Sequence, residues 1–542
     1  MPGFREVFAL PKEVVRQATP LGTAQLYREG QSAGEDSAAS DELRLVPTPS
    51  KDPADPLNWP KWRKLMTLCC VAMFSFSGNM ASASLTSALP FYASEFSPPL
   101  GQTKQVRLIA VCALMLGVAN IILVPLANIF GRRAIVLLSL ATLTACSAWA
   151  ATATSYSSFL AARAMQGVGG AATETLCPTV IGEVFFRHQR GRAMAVYTIF
   201  LTASSFLGGV IGGYIADTAG WRWTQWLNVI TAGASFVAAF LFQAETLWTR
   251  EQAPTTEPTC QSDAEPANHD PGQDKAEFRH QEDIDAEQYR DFTFVRALRI
   301  GLYRGNIMRH LVAPWLTLRF PGVWLVMLQY GCMVGAIVTV ATIGPQFMSL
   351  PPYNWGSSAG LINVGALVGT LLGLVITYTI SDWALQRHAH RQQHKLSEPE
   401  SRLPGMLPGF FFATAALWIF GFVGDHPSEN GWVGLQVGYG LLGVGLIIVP
   451  SIGLTYLIEA YGPISSDALV MVAVVRSVIG FTWTFFVGNW LQDAGSSQPF
   501  GIFGMLMAIF GLLTIPMWLY GKRLRMVTEK WLPRHGGHRS WE

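Results

Sequence analysis

Long apolar stretches separated by short polar segments fill most of the chain. Residues 65–94 and 320–381 contain no charged side chain, and residues 426–458 contain only Glu429. An uncharged apolar segment of about 18 or more residues is favoured in a lipid bilayer as a helix. The pattern therefore predicts a helical protein that crosses a membrane many times.

The apolar segments form two sets of six. The first set predicts membrane-spanning helices near residues 66–92, 106–127, 134–154, 158–184, 193–216 and 225–246. The second set predicts spans near residues 320–348, 357–380, 405–424, 432–459, 467–491 and 499–521. Six spans, a long polar connection and six further spans are typical of a duplicated bundle. We therefore expect an all-α membrane protein with twelve transmembrane helices in two six-helix bundles.

Polar segments mark the boundaries of these bundles. The first 60 residues are rich in Glu, Asp, Ser, Ala and Pro, a composition that favours disorder. A polar stretch after the sixth span contains four prolines and predicts a linker, in which residues 291–309 have the pattern of a surface helix. The predicted units are a disordered tail (1–60), a first bundle (61–247), a central loop (248–315), a second bundle (316–524) and a C-terminal tail (525–542).

Composition and charge placement add an orientation. Hydrophobic residues make up 50% of the chain and charged residues 14%, whereas soluble domains carry roughly 25% charged residues. The net charge of +2 gives no general attraction to nucleic acid. Lys and Arg cluster in alternate loops, at 61–64, 132–133, 187–192, 387–402 and 522–525. Because basic loops stay on the cytoplasmic side, we expect both tails and the central loop to be cytoplasmic.

The sequence gives little sign of metal, cofactor or enzyme chemistry. Six of the seven cysteines lie in apolar runs, and none forms a CxxC pair. No Walker-type Gly-rich loop and no nucleophile–base arrangement stand out. We therefore expect no metal, no cofactor, no nucleic-acid partner and no enzymatic activity.

A few polar side chains fall deep inside the predicted spans, at least three residues from either end. The ionisable residues are Arg163, Glu174 and Arg476, and each costs about 2.5–3.5 kcal/mol at a helix centre. The uncharged polar residues at depth include Asn79, Asn228, Gln329, Tyr330, Asn363, Gln436 and Tyr439. As a set they predict a polar cavity between the bundles that binds a substrate or a proton. For any one of them, a hydrogen bond between helices is the alternative role.

Short motifs occur at particular places in these spans. Residues 128–133 read Asn-Ile-Phe-Gly-Arg-Arg between spans two and three, and residues 160–167 read Leu-Ala-Ala-Arg-Ala-Met-Gln-Gly in span four. Residues 208–213 read Gly-Gly-Val-Ile-Gly-Gly in span five. They resemble the cytoplasmic gate motif, the fourth-span motif and the fifth-span antiporter motif of the major facilitator superfamily.

Further segments resemble the fungal twelve-span drug:proton antiporters of that superfamily in particular. These segments are residues 55–60, 351–355 and 399–403. The resemblance covers the chain from about residue 52 to 521. It implies a major facilitator fold, with two bundles around one site that is exposed alternately to either side. It also implies a monomeric secondary transporter in the lipid bilayer of the plasma membrane or, as an alternative, the vacuolar membrane.

The function implied is export of a small amphipathic organic molecule, such as a drug, toxin or secondary metabolite, coupled to protons. One alternative is a proton-coupled uptake symporter on the same fold. Another is a transporter-like receptor that binds a solute and signals through its cytoplasmic parts. The sequence itself does not identify the substrate.

Glu174 is the most informative of the intramembrane residues. It lies near the middle of the predicted fourth span, where a carboxyl group can take up and release a coupling proton or bind a cationic substrate. Arg163 precedes it by about three helical turns, or about 16 Å, and lies on nearly the same face of a regular helix. We therefore expect both side chains to face one aqueous pathway. The alternative is a permanently protonated Glu174 that bonds a neighbouring helix.

The gate motif departs from the family in one place and the antiporter motif in another. Asn128 stands where the family usually has aspartate, and Gly209 stands where it usually has proline. Asn128 cannot supply a charge, although it can accept hydrogen bonds. The residues expected to take part in gating are Asn128, Gly131, Arg132, Arg133, Gly208, Gly212, Gly213 and Asp382. Within this set, Arg132, Arg133 and Asp382 are predicted to form a cytoplasmic latch, the alternative being that the arginines only anchor the orientation.

Overall fold

The computed structural model describes residues 24–25, 55–94, 102–248, 307–391 and 396–531. These residues are nearly all helical, apart from a two-residue strand, Ala24–Gln25, paired antiparallel with Leu396–Ser397. Most of the predicted tails and of the predicted central loop lies outside the described residues. Helix Ile307–Leu316 overlaps the end of the candidate surface helix, whose earlier residues also lie outside them.

The first bundle follows the predicted order of six spans. Their bounds are Lys61–Ala83 (span one), Gln102–Val118 with Asn120–Phe130 (span two), Arg132–Thr152 (span three), Tyr156–Gly170 with Leu176–Val184 (span four), Arg187–Thr218 (span five) and Trp221–Phe242 (span six). A short helix, Leu89–Ser94, follows span one.

The second bundle has the same plan. Its bounds are Pro321–Ser349 (span seven), Ile362–Arg391 (span eight), Leu407–Asp425 (span nine), Gly431–Tyr461 (span ten), Ser465–Ala494 (span eleven) and Ser497–Leu512 with Thr514–Thr528 (span twelve). Helix Ile307–Leu316 precedes span seven and contacts both span two and span eleven.

Span four is a broken helix. Its two pieces have 15 and 9 residues, so neither reaches the length of a spanning helix, and 11 other helices in the described residues do. The pieces are joined by a 3-10 turn, Ala171–Thr173. With span four counted as one discontinuous crossing, the predicted all-α fold of twelve spans is confirmed.

Contacts with neighbouring spans stabilise the break. The Tyr197 hydroxyl donates to the Thr173 carbonyl over 3.0 Å, and the Thr173 hydroxyl donates to the Gly170 carbonyl over 2.7 Å. A Cβ atom on Gly170 would lie 3.6 Å from the Cα of Gly78 in span one, so the backbones are close. Non-helical backbone at membrane depth needs such protein partners because lipid offers none. The break leaves Glu174 at the end of the 3-10 turn.

Each bundle has its own apolar core, and the two cores meet at two pairs of spans. Phe206 of span five belongs to the core cluster of the second bundle, whereas Val470 and Val474 of span eleven belong to that of the first. Close packing makes these contacts possible: a Cβ atom on Gly117 of span two would collide with Ser477 of span eleven. The bundles therefore pack through spans five and eight on one side and spans two and eleven on the other.

Candidate functional site

A cavity of about 120 Å³ lies between the two bundles. Spans one, two, four and five contribute one wall, and spans seven, ten and eleven contribute the other. Leucine, isoleucine, valine and phenylalanine side chains form much of the lining, and hydroxyl groups of serine, threonine and tyrosine are interspersed among them. The site is therefore amphipathic and is shared by both halves of the molecule.

An ion pair joins the bundles at this cavity. The Glu174 carboxylate of span four pairs with the Arg476 guanidinium of span eleven, and their side chains are 5% and 8% exposed. The guanidinium carbon also lies 5.1 Å from the centroid of the Tyr330 ring, a distance typical of a cation–π contact. Glu174 and Arg476 are the two charged residues among those that line the cavity. The walls therefore carry opposite charges that compensate each other.

The structure divides the predicted binding residues into two equal groups. Those that line the cavity are Asn79, Glu174, Tyr330, Tyr439 and Arg476. The other five, which are Arg163, Asn228, Gln329, Asn363 and Gln436, lie outside its lining and hydrogen-bond other parts of the protein.

The hydrogen bonds of Asn228 and Gln329 lie within their own bundles. The Asn228 amide donates to the Ser84 hydroxyl over 2.9 Å, and the Gln329 amide donates to the Phe510 carbonyl over 2.9 Å. Such bonds satisfy polar groups that lipid would leave unpaired.

Arg163 is fully buried inside the first bundle. Its guanidinium donates to the carbonyls of Ala81 and Ser82 over 2.7 and 2.9 Å, and to Gln166 Oε1 over 2.9 Å. The structure therefore separates Arg163 from Glu174, which sequence analysis placed on one pathway. The expectation assumed one regular helix, and the 3-10 turn between the two residues breaks that regularity.

The predicted gate residues of the motif at 128–133 lie at the basic end, defined as the end of the bundles where spans two and three meet. The Arg132 guanidinium donates to Asn128 Oδ1, and it pairs with Glu183 at the end of span four over 3.2 Å. Arg133 donates to the Phe240 carbonyl over 2.8 Å. Asp382 lies on span eight, with its side chain outside the described part of the structure. The predicted latch of Arg132, Arg133 and Asp382 thus stays a prediction.

Glu245 caps span three at the basic end. Its carboxylate accepts the backbone N–H groups of Arg132 over 2.8 Å and Arg133 over 3.2 Å, at the positive end of the helix dipole. Gly131, with φ of 99°, precedes them, and a Cβ atom there would collide with the carboxylate. Burial raises the pKa of Glu245, and the hydrogen bonds from the backbone N–H groups of Leu247, Arg132 and Arg133 oppose this rise.

Sequence reasoning missed the acidic residues at the basic end. Glu183 and Glu245 are ordinary loop-end carboxylates in sequence, and only their placement beside the gate motif distinguishes them. Asp467, in the first turn of span eleven, lies within electrostatic range of Arg132. The acidic charge that Asn128 does not supply on span two is therefore present across the interface, on the second bundle.

The predicted glycines of span five are contact points. A Cβ atom on Gly208 would lie 3.3 Å from the Met80 carbonyl, and one on Gly212 would collide with the Ser84 carbonyl. Gly209 instead faces span eight, where its Cβ atom would lie 2.6 Å from Asn363 Nδ2. Gly213 is buried. Span five is thus held close to span one of its own bundle and to span eight of the other.

Comparison with known proteins agrees with this architecture. The model of the Major Facilitator Superfamily matches residues 67–482. An uncharacterized MFS-type transporter of Schizosaccharomyces pombe (strain 972 / ATCC 24843) is 27% identical, over 94% of this chain and 93% of its own. The efflux pump radE of Floropilus chiversii is 24% identical, over 88% of this chain and 83% of its own.

A solved structure supports the fold alone. The human organic anion transporter MFSD10 (TETRAN) superposes with a TM-score of 0.51 and 14% identity, covering 84% of this chain and 100% of its own. The matched region begins within span one, includes spans two to ten and ends within span eleven. The protein is therefore a multi-pass membrane transporter of small molecules rather than an enzyme, and the chain belongs to the Major Facilitator Superfamily.

Proposed function

We propose that this transporter exports a small amphipathic organic molecule in exchange for protons, by alternating exposure of the central cavity. The observation that carries the proposal is the buried ion pair between Glu174 and Arg476 in the wall of that cavity. Its two members belong to different bundles, so the protonation state of one carboxyl group acts directly on the contact between the moving halves.

Proton transfer to Glu174 gives the pair its coupling role. A proton on the carboxylate removes its charge and weakens its hold on the Arg476 guanidinium, which stays charged over the Tyr330 ring. Loss of the proton restores the pair and the attraction between the bundles. A group whose protonation favours one arrangement of the bundles links proton binding to the conformational change, and the linkage acts in both directions.

Export is supported by two observations of different kinds. Residues 208–213 resemble the fifth-span antiporter motif, and their glycines hold span five against both bundles. A relative of similar length is named an efflux pump. In this proposal the basic end faces the cytosol, both tails are cytoplasmic, and the protein works as a monomer in the plasma membrane.

Replacement of Glu174 by glutamine tests the coupling. Glu174→Gln keeps the size of the side chain and removes its titration, so we expect a variant that reaches the membrane and loses gradient-driven transport. The substrate is first found by comparing metabolites in the medium of cells with and without the gene. Its accumulation is then measured in everted vesicles with an acidic lumen, with and without a protonophore.

Glu429→Gln is the matched control, because it makes the same chemical change at an exposed position between spans nine and ten. This control should accumulate substrate at the wild-type level and remain sensitive to the protonophore. Full gradient-driven accumulation by Glu174→Gln would show that the carboxylate is structural.

A further inference from the structure

The charges that line the central cavity cancel each other. One carboxylate and one guanidinium pair with each other in its wall, and the other lining residues are uncharged. Both ions are more than nine-tenths buried, so water screens neither of them well. The cavity therefore offers a ligand a wall of no net charge.

While Glu174 is ionised, this arrangement disfavours a charged ligand of either sign. An organic cation would have to take Glu174 from Arg476, and an organic anion would have to take Arg476 from Glu174. In each case one buried ion would lose its partner, and an uncompensated buried charge is strongly unfavourable. A molecule without net charge can enter while the pair stays intact.

Arg476 has N–H groups beyond the one that pairs with Glu174. Its Nη2 atom makes that ion pair, and the residue also lines the cavity. A guanidinium presents five N–H groups in a fixed plane, so it can hold a carboxylate on one side and donate elsewhere from the other. An acceptor oxygen of a ligand in the cavity can take up such a donor.

The rest of the lining suits the body of such a molecule. Apolar surface comes from spans two, five and seven, through Ile109, Leu116, Phe206 and Ile337, and Ser205 adds a hydroxyl group. We infer that the cavity selects amphipathic molecules without net charge that carry a carbonyl or similar acceptor oxygen for Arg476. This inference rests on the proposed function only in taking the cavity as the transport site.

Three probes of matched shape test this selectivity. They are 4-phenylbutanamide, which is uncharged, 4-phenylbutanoate, which is an anion at pH 7.5, and 4-phenylbutylamine, which is a cation at that pH. Binding of each is measured by thermal stabilisation of the purified transporter in lipid nanodiscs, without any proton gradient. We expect the amide to bind the wild-type protein at least tenfold more tightly than either ion.

Variants of the pair should change this preference in opposite directions. In Glu174→Gln the guanidinium lacks its counter-ion, so the anion should become the tightest of the three probes by at least tenfold. In Arg476→Gln the carboxylate lacks its counter-ion, so the cation should become the tightest. The double variant Glu174→Gln/Arg476→Gln has neutral walls again and should return to the amide.

The outcomes are decisive even if a single variant fails to fold. The double variant leaves no buried charge unpaired, and the wild-type ranking by itself tests the inference. Preference of the wild-type protein for either ion, or no binding of the amide, overturns it. Because no gradient is used, loss of proton coupling in vesicles with this ranking intact would contradict the proposed coupling alone.

Discussion

Two arginines at membrane depth have different surroundings, and their surroundings assign them different roles. Arg163 binds backbone carbonyls and Gln166 within the first bundle, with no exposed surface. Arg476 meets a carboxylate of the other bundle at the cavity. The first arginine therefore stabilises the structure of one bundle, whereas the second lies at the cavity between the bundles.

Replacement of Arg163 by lysine should destabilise the protein. A lysine has a single ammonium group and cannot reach the Ala81 carbonyl, the Ser82 carbonyl and Gln166 together. Each charge-assisted hydrogen bond that is lost costs about 1.5–3 kcal/mol. We expect a lower melting temperature in detergent for Arg163→Lys and no change for Arg107→Lys, which alters an exposed residue. Equal melting temperatures for both variants would contradict the structural role.

At this scale the sequence identified which residues are polar at depth but not what they face. Asn79, Glu174 and Arg476 line the cavity, while Asn228 and Gln329 bond within their own bundles. The apolar residues around each position in the sequence indicate that it lies deep in the membrane. They do not indicate which residue it contacts, because Glu174 and Arg476 are brought together only when the two bundles pack.

Among the elements, the break in span four is the one that periodicity could not predict. Apart from Glu174, residues 171–175 are alanine and threonine, and the segment fits a continuous helix as well as it fits a turn. The turn depends on contacts from other spans, including the Tyr197 hydroxyl, the close approach of Gly78 and a bond of 2.5 Å between Thr175 and Asn120. The number and order of the spans follow from hydropathy alone, and they agree with the structure.

The contact between spans five and eight explains why glycine suits position 209. A methyl group there would lie 2.6 Å from Asn363 Nδ2, so Gly209→Ala should force the spans apart at a cost of about 1–3 kcal/mol. We expect slower transport and a lower melting temperature for this variant. The double variant Gly209→Ala/Asn363→Ala removes the obstructing amide and should recover both.

Gly488→Ala is the control for this pair, since a Cβ atom at that position of span eleven meets nothing within 4 Å. It should behave like the wild-type protein. The packing account would be wrong if Gly209→Ala were equally harmless, or if removal of the Asn363 amide failed to rescue it.

On the scale of the whole molecule, the basic end is closed by apolar packing and by charge. Val470 and Val474 of span eleven pack into the core of the first bundle, and Asp467 on the same helix lies within electrostatic range of Arg132. Hydropathy and charge placement in the sequence predicted two bundles with a basic end. They could not show which carboxylate serves that end, because Asp467 is an isolated residue next to an apolar run.

Removal of the Asp467 charge should loosen this end. For Asp467→Asn we expect a larger open population by about fivefold, the factor that corresponds to about 1 kcal/mol. The measurement is the rate at which maleimide labels Val470→Cys, a position buried in the closed state, in a background without native cysteines. Asp493→Asn, at the other end of span eleven and exposed, should leave the rate unchanged. Equal labelling rates in both variants would exclude Asp467 from the closure.

The ion pair between spans four and eleven also has a consequence for the order in which the protein is made. The ribosome completes Glu174 about 300 residues before Arg476, which at 5–20 residues per second is about 15–60 s. During that interval the newly inserted first bundle contains its intramembrane carboxyl without the arginine that compensates it. The polar interior of the first bundle is therefore complete only after the second half of the chain has been made. Biogenesis of the two halves is thus coupled before any transport takes place.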